Sequence, residues 1–321
     1  MEKILWISTG GTFACQKTEK GLSPKADENF ALDIIKDFKG EKNTEITPAL
    51  LMNKDSTEMN VRDIRKIAAL INKNINLYSG IVITHGTDTM AYTSAMLSVM
   101  LKNPPIPIIL TGSQLPYSAE NTDAKRNFGD SIIAALSEDL KAVCVVFSGK
   151  IFHGMDCYKA SSKDFDAFSA YDKALGEIKN GKVIIKDKGR ITTGEYFYNK
   201  NICEKIAVIK LTPDFDENMI EYYIQSGTKG FVIEGYGTGG IPLRVLKKLK
   251  KANKKGILSM VITQCKNGGT ALDVYEVGSN VKEAGIIDGG KLGTEGAVAK
   301  MGEICRRAAA PNSAFKNIGV I

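Results

Sequence analysis

"ILWISTGGTFACQ", residues 4–16, decides how this chain is read. An apolar run with no polar alternation ends in Thr9-Gly10-Gly11-Thr12, so a strand covered on both faces delivers two hydroxyls to a tight turn. The habit recurs. "GIVIT" (80–84) leads into "HGTDT" (85–89), "IPIIL" (106–110) into "TGSQ" (111–114), and "AVCVVF" (142–147) into "SGK" (148–150). Helical patterns lie between these runs, at Val61 to Asn72, Met90 to Lys102 and Asp123 to Ser137. Strand alternating with helix indicates a parallel α/β sheet. In open sheets of this kind, ligands bind outside the carboxyl ends of the strands. Thr9, Thr12, Thr87, Asp88, Ser113 and Gln114 are therefore expected to line one pocket.

Further along, "KDKGRITTGEYFYNKN" (186–201) is polar and aperiodic and reads as a connector. Beyond it, "KIAVIKL" (205–211), "GFVIEGYGTGG" (230–240) and "LSMVITQC" (258–265) supply three more strands. The expected organisation is a two-domain α/β protein. A larger N-terminal domain, 1–186, holds a mostly parallel sheet flanked by helices; a connector spans 187–205; a smaller α/β domain fills 206–321. A chain of 321 residues is too long for one ordinary core, which agrees with two domains.

Composition excludes several classes. The net charge is only +7, and its one dense run, Lys247 to Lys255, reads as a solvated helix face, so no nucleic-acid partner is expected. Six cysteines are scattered without a C-x-x-C pair, which leaves metal and redox motifs unsupported. The apolar start is too short for a secretory signal, and nothing approaches the ~20 apolar residues that span a bilayer. These features read as a cytoplasmic protein with no membrane partner. The dinucleotide fingerprint fails because Gly10-Gly11 continues as Thr12-Phe13-Ala14-Cys15; phosphate-loop and H-E-x-x-H motifs are absent.

Histidine-based hydrolysis is limited by two histidines, His85 and His153, and no serine sits in a G-x-S-x-G elbow. His85 reads as a packing and hydrogen-bonding residue beside its turn. What remains is a hydroxyl nucleophile activated by something else, and a neutral amine is one such activator. Thr87 stands beside Asp88, and Lys159 follows the fourth strand in "DCYKASSKDFDAF" (156–168). Desolvation would draw a lysine towards the neutral base form, while Asp88 would oppose that shift and orient the ammonium. Each element also has a plain reading. T-G-G-T suits any βα turn, "HGTDT" could cap a helix through Thr87 or Asp88, and Lys159 could lie on the surface.

The combination is more specific than its parts. "TGGT" (9–12), "NKDSTEM" (53–59), "THGTDTMAYTSAML" (84–97), "TGSQLP" (111–116), "TDAKRN" (122–127), "YKASSKDFDAF" (158–168), "TQC" (263–265) and "VYEVG" (274–278) resemble the bacterial-type L-asparaginases, in particular their type I, cytoplasmic branch. That resemblance implies an asparaginase-like two-domain fold, a homodimer or homotetramer, and hydrolysis of L-asparagine to L-aspartate and ammonia without metal or organic cofactor. It implies Thr12 as nucleophile, with Thr87, Asp88 and Lys159 as a second hydroxyl–carboxylate–lysine cluster. Ser56 would take the substrate's α-carboxylate and Asp88 its α-ammonium. Gly11, Asp55, Thr57, Gly86 and Ser113 would complete the substrate contacts, with Glu276 as the candidate reaching in from a neighbouring subunit.

One position departs from the family pattern. Many members carry a tyrosine in the loop after "TGGT", a stretch (Cys15 to Asn29) that reads as a mobile lid. Here that place holds Leu22, and no tyrosine lies between Thr12 and Met52. Either a phenol arrives from elsewhere or Lys159 activates Thr12 through Thr87 or water. The competing readings are an asparaginase-like subunit of a tRNA-dependent amidotransferase and a non-catalytic amino-acid-binding relative. Subunits of the first kind usually carry an extra N-terminal domain, whereas this chain opens on its first strand; the second would show a damaged site.

Overall fold

Aromatic side chains anchor the opening turn. Trp6 and Phe13 are fully buried, and Phe13 packs its ring against Trp6 (6.3 Å between centroids), Phe128 (5.8 Å), Tyr117 (5.4 Å) and Phe30 (6.4 Å). The computed structural model containing this cluster describes residues 1–19, 21–38 and 44–308. The chain divides into two compact units, Met1–Lys200 and Asn201–Ile321, with the boundary inside the stretch read as a connector. The end of the C-terminal domain, from Ala309 onward, lies outside the described residues.

The first unit is a mixed, mostly parallel eight-stranded sheet. From one edge the strands run Lys182–Ile185, Gly176–Lys179, Lys150–His153, Val143–Phe147, Ile108–Thr111, Gly80–Thr84, Glu2–Gly10 and Thr44–Lys54. The last five are mutually parallel and the first three are joined antiparallel. All four strands expected from the apolar runs are present, and both faces are covered. Ile4, Trp6, Val82, Ile109, Cys144 and Val146 pack on one side against Ala31 and Ile34 of helix Glu28–Asp37 and Phe128 and Ile132 of helix Ala124–Ala135. The alternate positions Leu5, Ile7, Ile81, Ile83, Ile108 and Leu110 are buried as well, on the opposite face. Helices Val61–Asn74 and Met90–Met100 complete the first unit's set; Asn60 caps the former by accepting from the Arg62 and Asp63 amides.

Three features were not visible in the pattern. Strand Thr44–Lys54 mixes polar and apolar residues and contains Pro48, which an edge position tolerates because one side of the strand needs no partner. The stretch read as a lid forms an antiparallel hairpin, Cys15–Thr18 with Gly21–Pro24. A separate two-stranded ribbon, Cys157–Lys159 with Phe168–Ala170, lies outside the main sheet and carries Lys159.

The second unit is a smaller α/β body. Parallel strands Ile206–Lys210, Gly230–Gly235, Leu258–Thr263 and Ile287–Asp288 lie in that order, with helices Met219–Gln225, Leu243–Lys254, Glu276–Glu283 and Thr294–Ala308. The lysine-rich run falls on an amphipathic helix, whose Val245, Leu246, Leu249 and Ala252 are buried, and Lys248 pairs with Glu221 at 2.6 Å. No helix among the described residues is long and apolar enough to cross a membrane.

Phe13 joins the first strand's core to the turn that follows it. Truncation to Phe13→Ala should cost ~3–5 kcal/mol, as for large buried aromatics generally, read as a lower denaturant midpoint at unchanged slope.

Candidate active site

Three turns meet closely, two of them backbone to backbone and the third through the Ser56 side chain. A Cβ built on Gly11 would lie 2.3 Å from the Gly86 nitrogen, and one on Gly86 would lie 2.6 Å from Ser56 Oγ. Gly11 also has a φ of +70°, in the region that favours glycine. Its amide donates to the Lys54 carbonyl at 2.9 Å, tying the first turn to the end of the edge strand. Thr12 follows directly, as the first residue of a short 3-10 turn, half-buried and held from behind by Phe13.

Lys159 reaches the second turn. Its Nζ donates to Thr87 Oγ1 and to Asp88 Oδ1, each at 2.7 Å, while its side chain is only 17% exposed. The plain readings of these residues therefore do not hold. Lys159 is not a surface side chain, and helix Met90–Met100, with Thr89 at its N-cap position, has no side-chain cap. Thr87 in turn donates to Gln114 Oε1 at 3.4 Å.

The remaining expected contacts sort by what their polar atoms already do. Asp55 is committed locally: its Oδ1 accepts from the Thr57 amide (2.9 Å) and from Thr57 Oγ1 (2.8 Å), which shapes the turn bearing Ser56. Thr89 Oγ1 fixes the same turn by donating to the Ser56 carbonyl at 2.7 Å. Ser113 is buried and donates to the Leu115 carbonyl at 2.5 Å. Thr9 supports its strand end by donating to the Thr84 carbonyl at 2.9 Å. Thr12, Thr87, Asp88, Lys159, Gly11, Gly86, Asp55, Ser56, Thr57 and Ser113 all belong to the first unit; Glu276 begins a helix of the second.

Two supporting residues went unnoticed in the sequence. The Asp123 carboxylate accepts from the Gln114 amide (2.9 Å) and the Leu115 amide (3.1 Å), and Asn127 donates to both Asp123 (3.1 Å) and the Gly112 carbonyl (3.0 Å). Together they hold the turn after strand Ile108–Thr111. Their signal was present in "TDAKRN", where two short polar side chains sit one helical turn apart at a helix start.

The titratable neighbours are not competing nucleophiles or bases. His85 is fully buried; its Nδ1–H donates to the Gly86 carbonyl (2.7 Å) and Nε2 accepts from Thr93 Oγ1 (3.1 Å), a neutral tautomer. Burial pushes its pKa down to about 4. Burial first, and then the nearby Asp55 charge, pushes the Cys15 thiol up, and that thiol donates to the Gly11 carbonyl at 3.3 Å. Tyr117 packs on Phe13, but its hydroxyl donates to Asp37 Oδ2 at 3.2 Å, so it does not stand in for the loop phenol.

Comparison with known proteins places this arrangement in a class. Residues 3–190 match the family model for the asparaginase N-terminal domain, and residues 205–313 match that for the glutaminase/asparaginase C-terminal domain. The chain belongs to the asparaginase family. It is 35% identical to an L-asparaginase of Thermococcus kodakarensis, covering 93% of this chain and 91% of that protein. It is 29% identical to L-asparaginase 1 of Escherichia coli, covering 94% of this chain and 91% of that one. A subunit of the glutamyl-tRNA(Gln) amidotransferase of Pyrococcus horikoshii is 32% identical over 88% of this chain and 67% of its own length. Among solved structures, the T. kodakarensis L-asparaginase superposes with a TM-score of 0.86 at 33% identity, covering 95% of this chain and 96% of that chain. A probable cytoplasmic L-asparaginase from Campylobacter jejuni gives 0.81 at 25% identity, covering 96% of each.

The buried imidazole yields a test. Because its folded pKa lies below the ordinary 6.5, His85 adds nothing to pH sensitivity above that value and withdraws stability as the pH falls from 6.5 towards 4. The loss should approach ~3 kcal/mol from this one group. Denaturant melts at stepped pH should show that slope, and His85→Gln should remove it.

Proposed function

We propose that this protein hydrolyses the side-chain amide of L-asparagine to L-aspartate and ammonia, with Thr12 as nucleophile. The observation that carries the reading is Lys159 Nζ at 2.7 Å from both Thr87 and Asp88, on the turn whose glycine touches the one before Thr12. Family membership and the L-asparaginase relatives support the amidohydrolase class.

In the proposed mechanism, Asp88 accepts the substrate's α-ammonium and Ser56 donates to its α-carboxylate, so the zwitterion presents its amide to the turn at Thr12. Once Lys159 has released a proton to solvent, its Nζ takes the Thr87 proton as Thr87, directly or through one water, takes that of Thr12. The freed oxygen adds to the amide carbon. Amide N–H groups of the glycine-rich turns stabilise the oxyanion, a contribution of roughly 10²–10³-fold per donor. Collapse returns the proton to nitrogen, ammonia departs, and Thr12 is left as an ester that water cleaves along the reverse proton path. Leu22 takes no part in this route; its side chain is exposed on the hairpin.

Glu276 is proposed to complete the substrate's surroundings from a neighbouring subunit of a homodimer or homotetramer. A cytoplasmic setting is proposed on the six cysteines, which form no disulfide, and on the C. jejuni relative. The match to an amidotransferase component supports a second reading, in which the same ammonia is released only for a partner enzyme acting on tRNA.

Ammonia release from L-asparagine and L-glutamine distinguishes these readings. Free protein should release ammonia from L-asparagine, Thr12→Ala should abolish it, and Lys159→Met should reduce it by ~10²–10⁴-fold with circular dichroism unchanged. Folded wild-type protein that releases none would favour the partner-dependent reading. Replacing Leu22 by Tyr should leave the rate unchanged if Lys159 alone drives the proton path, and a large gain would show a missing phenol.

A further inference from the structure

Lys159 sits on a ribbon of only two short strands that is not hydrogen-bonded into the main sheet, so something else must fix it. Both ends of that ribbon converge on one side chain. Asp156, immediately before the strand Cys157–Lys159, is buried and bonded to the guanidinium of Arg190 through Nη1. Asp172, two residues after the strand Phe168–Ala170, accepts from Nη2 of the same arginine at 3.0 Å. The Tyr171 amide donates to the Asp156 carbonyl at 3.0 Å, so the two ends are also joined by backbone.

Arg190 is itself held. It closes the 3-10 turn Lys188–Arg190, whose start Asp187 caps by accepting from the Gly189 amide at 3.2 Å, and the amides of Lys186 and Asp187 bond the Leu175 carbonyl. That places it beside the antiparallel hairpin at the outer edge of the main sheet. The guanidinium is thus a bridge between a rigid edge and a ribbon that lacks a sheet of its own. His153 Nδ1 lies 3.7 Å from Asp156, but burial lowers its pKa, leaving Arg190 as the cation facing Asp156 at neutral pH.

We propose that Arg190 is a positioning residue for the hydrolysis: by gripping Asp156 and Asp172 together, it sets where Lys159 Nζ meets Thr87 and Asp88. The inference rests on the role given to Lys159 above. It depends on the planar fork, because an ammonium of the same charge is a point donor and does not hold two carboxylates in a fixed relation. The contacts of Arg190 run to Asp156, Asp172 and Asp187 rather than to Thr12, Thr87, Asp88 or Lys159, so its loss should appear in turnover and not in binding.

The test compares wild type, Lys159→Met, Arg190→Lys and Asp172→Asn for kcat and KM in ammonia release, with thermal melts alongside. Arg190→Lys keeps a cation beside the buried Asp156 and is expected to fold, yet a displacement of about an ångström at Lys159 should lower kcat by ~10–100-fold while KM moves by less than about threefold. Asp172→Asn keeps the Arg190–Asp156 pair and frees only one ribbon end, so its kcat should fall by about 3–10-fold. A role confined to folding predicts instead that Arg190→Lys keeps wild-type stability and rate together, and that result overturns the proposal. Should Arg190→Lys fail to fold, Asp172→Asn decides alone: an unchanged kcat rejects the staple. Near-normal turnover in Lys159→Met would remove Lys159 from the reaction, a failure of the parent reading distinguishable from the others.

Discussion

The contact between Gly11 and Gly86 is the constraint on which the site depends. Two parallel strands, Glu2–Gly10 and Gly80–Thr84, are already a fixed distance apart, and their following turns approach until no Cβ fits between them. Ser56 closes the same gap from the third side. Because these atoms touch, small changes in one turn are passed to the others, and the hydroxyls of Thr12 and Thr87 leave from a common origin. Glycine at these points carries a conformational cost in the unfolded chain that ordinary residues would avoid. The surrounding apolar sheet supplies the stability against which that cost is set.

Around this contact the molecule separates two kinds of work. Anchoring is done by apolar and aromatic groups, above all Phe13 and Trp6, and by polar groups that are already satisfied: Asp55 with Thr57, Asp123 with the Gln114 and Leu115 amides, His85 with Gly86 and Thr93. Asp88, by contrast, has a half-exposed side chain, so its carboxylate faces solvent as well as Lys159. Satisfied polar groups hold geometry well because leaving any one of them unpaired in the interior is costly. Histidine here belongs to the first kind. A fully buried neutral imidazole is a building element, and in the proposed reaction the amine does what imidazole does in many hydrolases.

Much of this was legible in the sequence because parallel strands buried on both faces write themselves as unbroken apolar runs, and the residues after them are the ones that face ligand. Those two rules located four strands and brought Thr12, Thr87, Asp88 and Ser113 to one side of a sheet. The edge strand Thr44–Lys54 was hidden because an edge is half-solvated and tolerates Pro48, which breaks the apolar pattern. Lys159 could be named as a candidate amine but not fixed at the turn, since its ribbon is held by long-range ion pairs that have no periodicity. Arg190 lay in a stretch that looked like a linker: polar, aperiodic, and yet engaged with Asp156 and Asp172. Charge pairing across distant positions leaves no trace in a local window, whereas packing does.

The order in which the pieces occur along the chain has its own consequence for synthesis. A nascent polypeptide that has emerged as far as Phe147 already contains Thr12, Ser56, Thr87 and Asp88 and the five parallel strands of the first unit's main sheet. It lacks the ribbon, and the guanidinium that grips that ribbon emerges later still. Non-local pairings of this kind form after the local ones, because their loop-closure entropy must be met first. A chain still on the ribosome at that length presents the Thr12 hydroxyl before Lys159, the amine that contacts Thr87 and Asp88, has emerged.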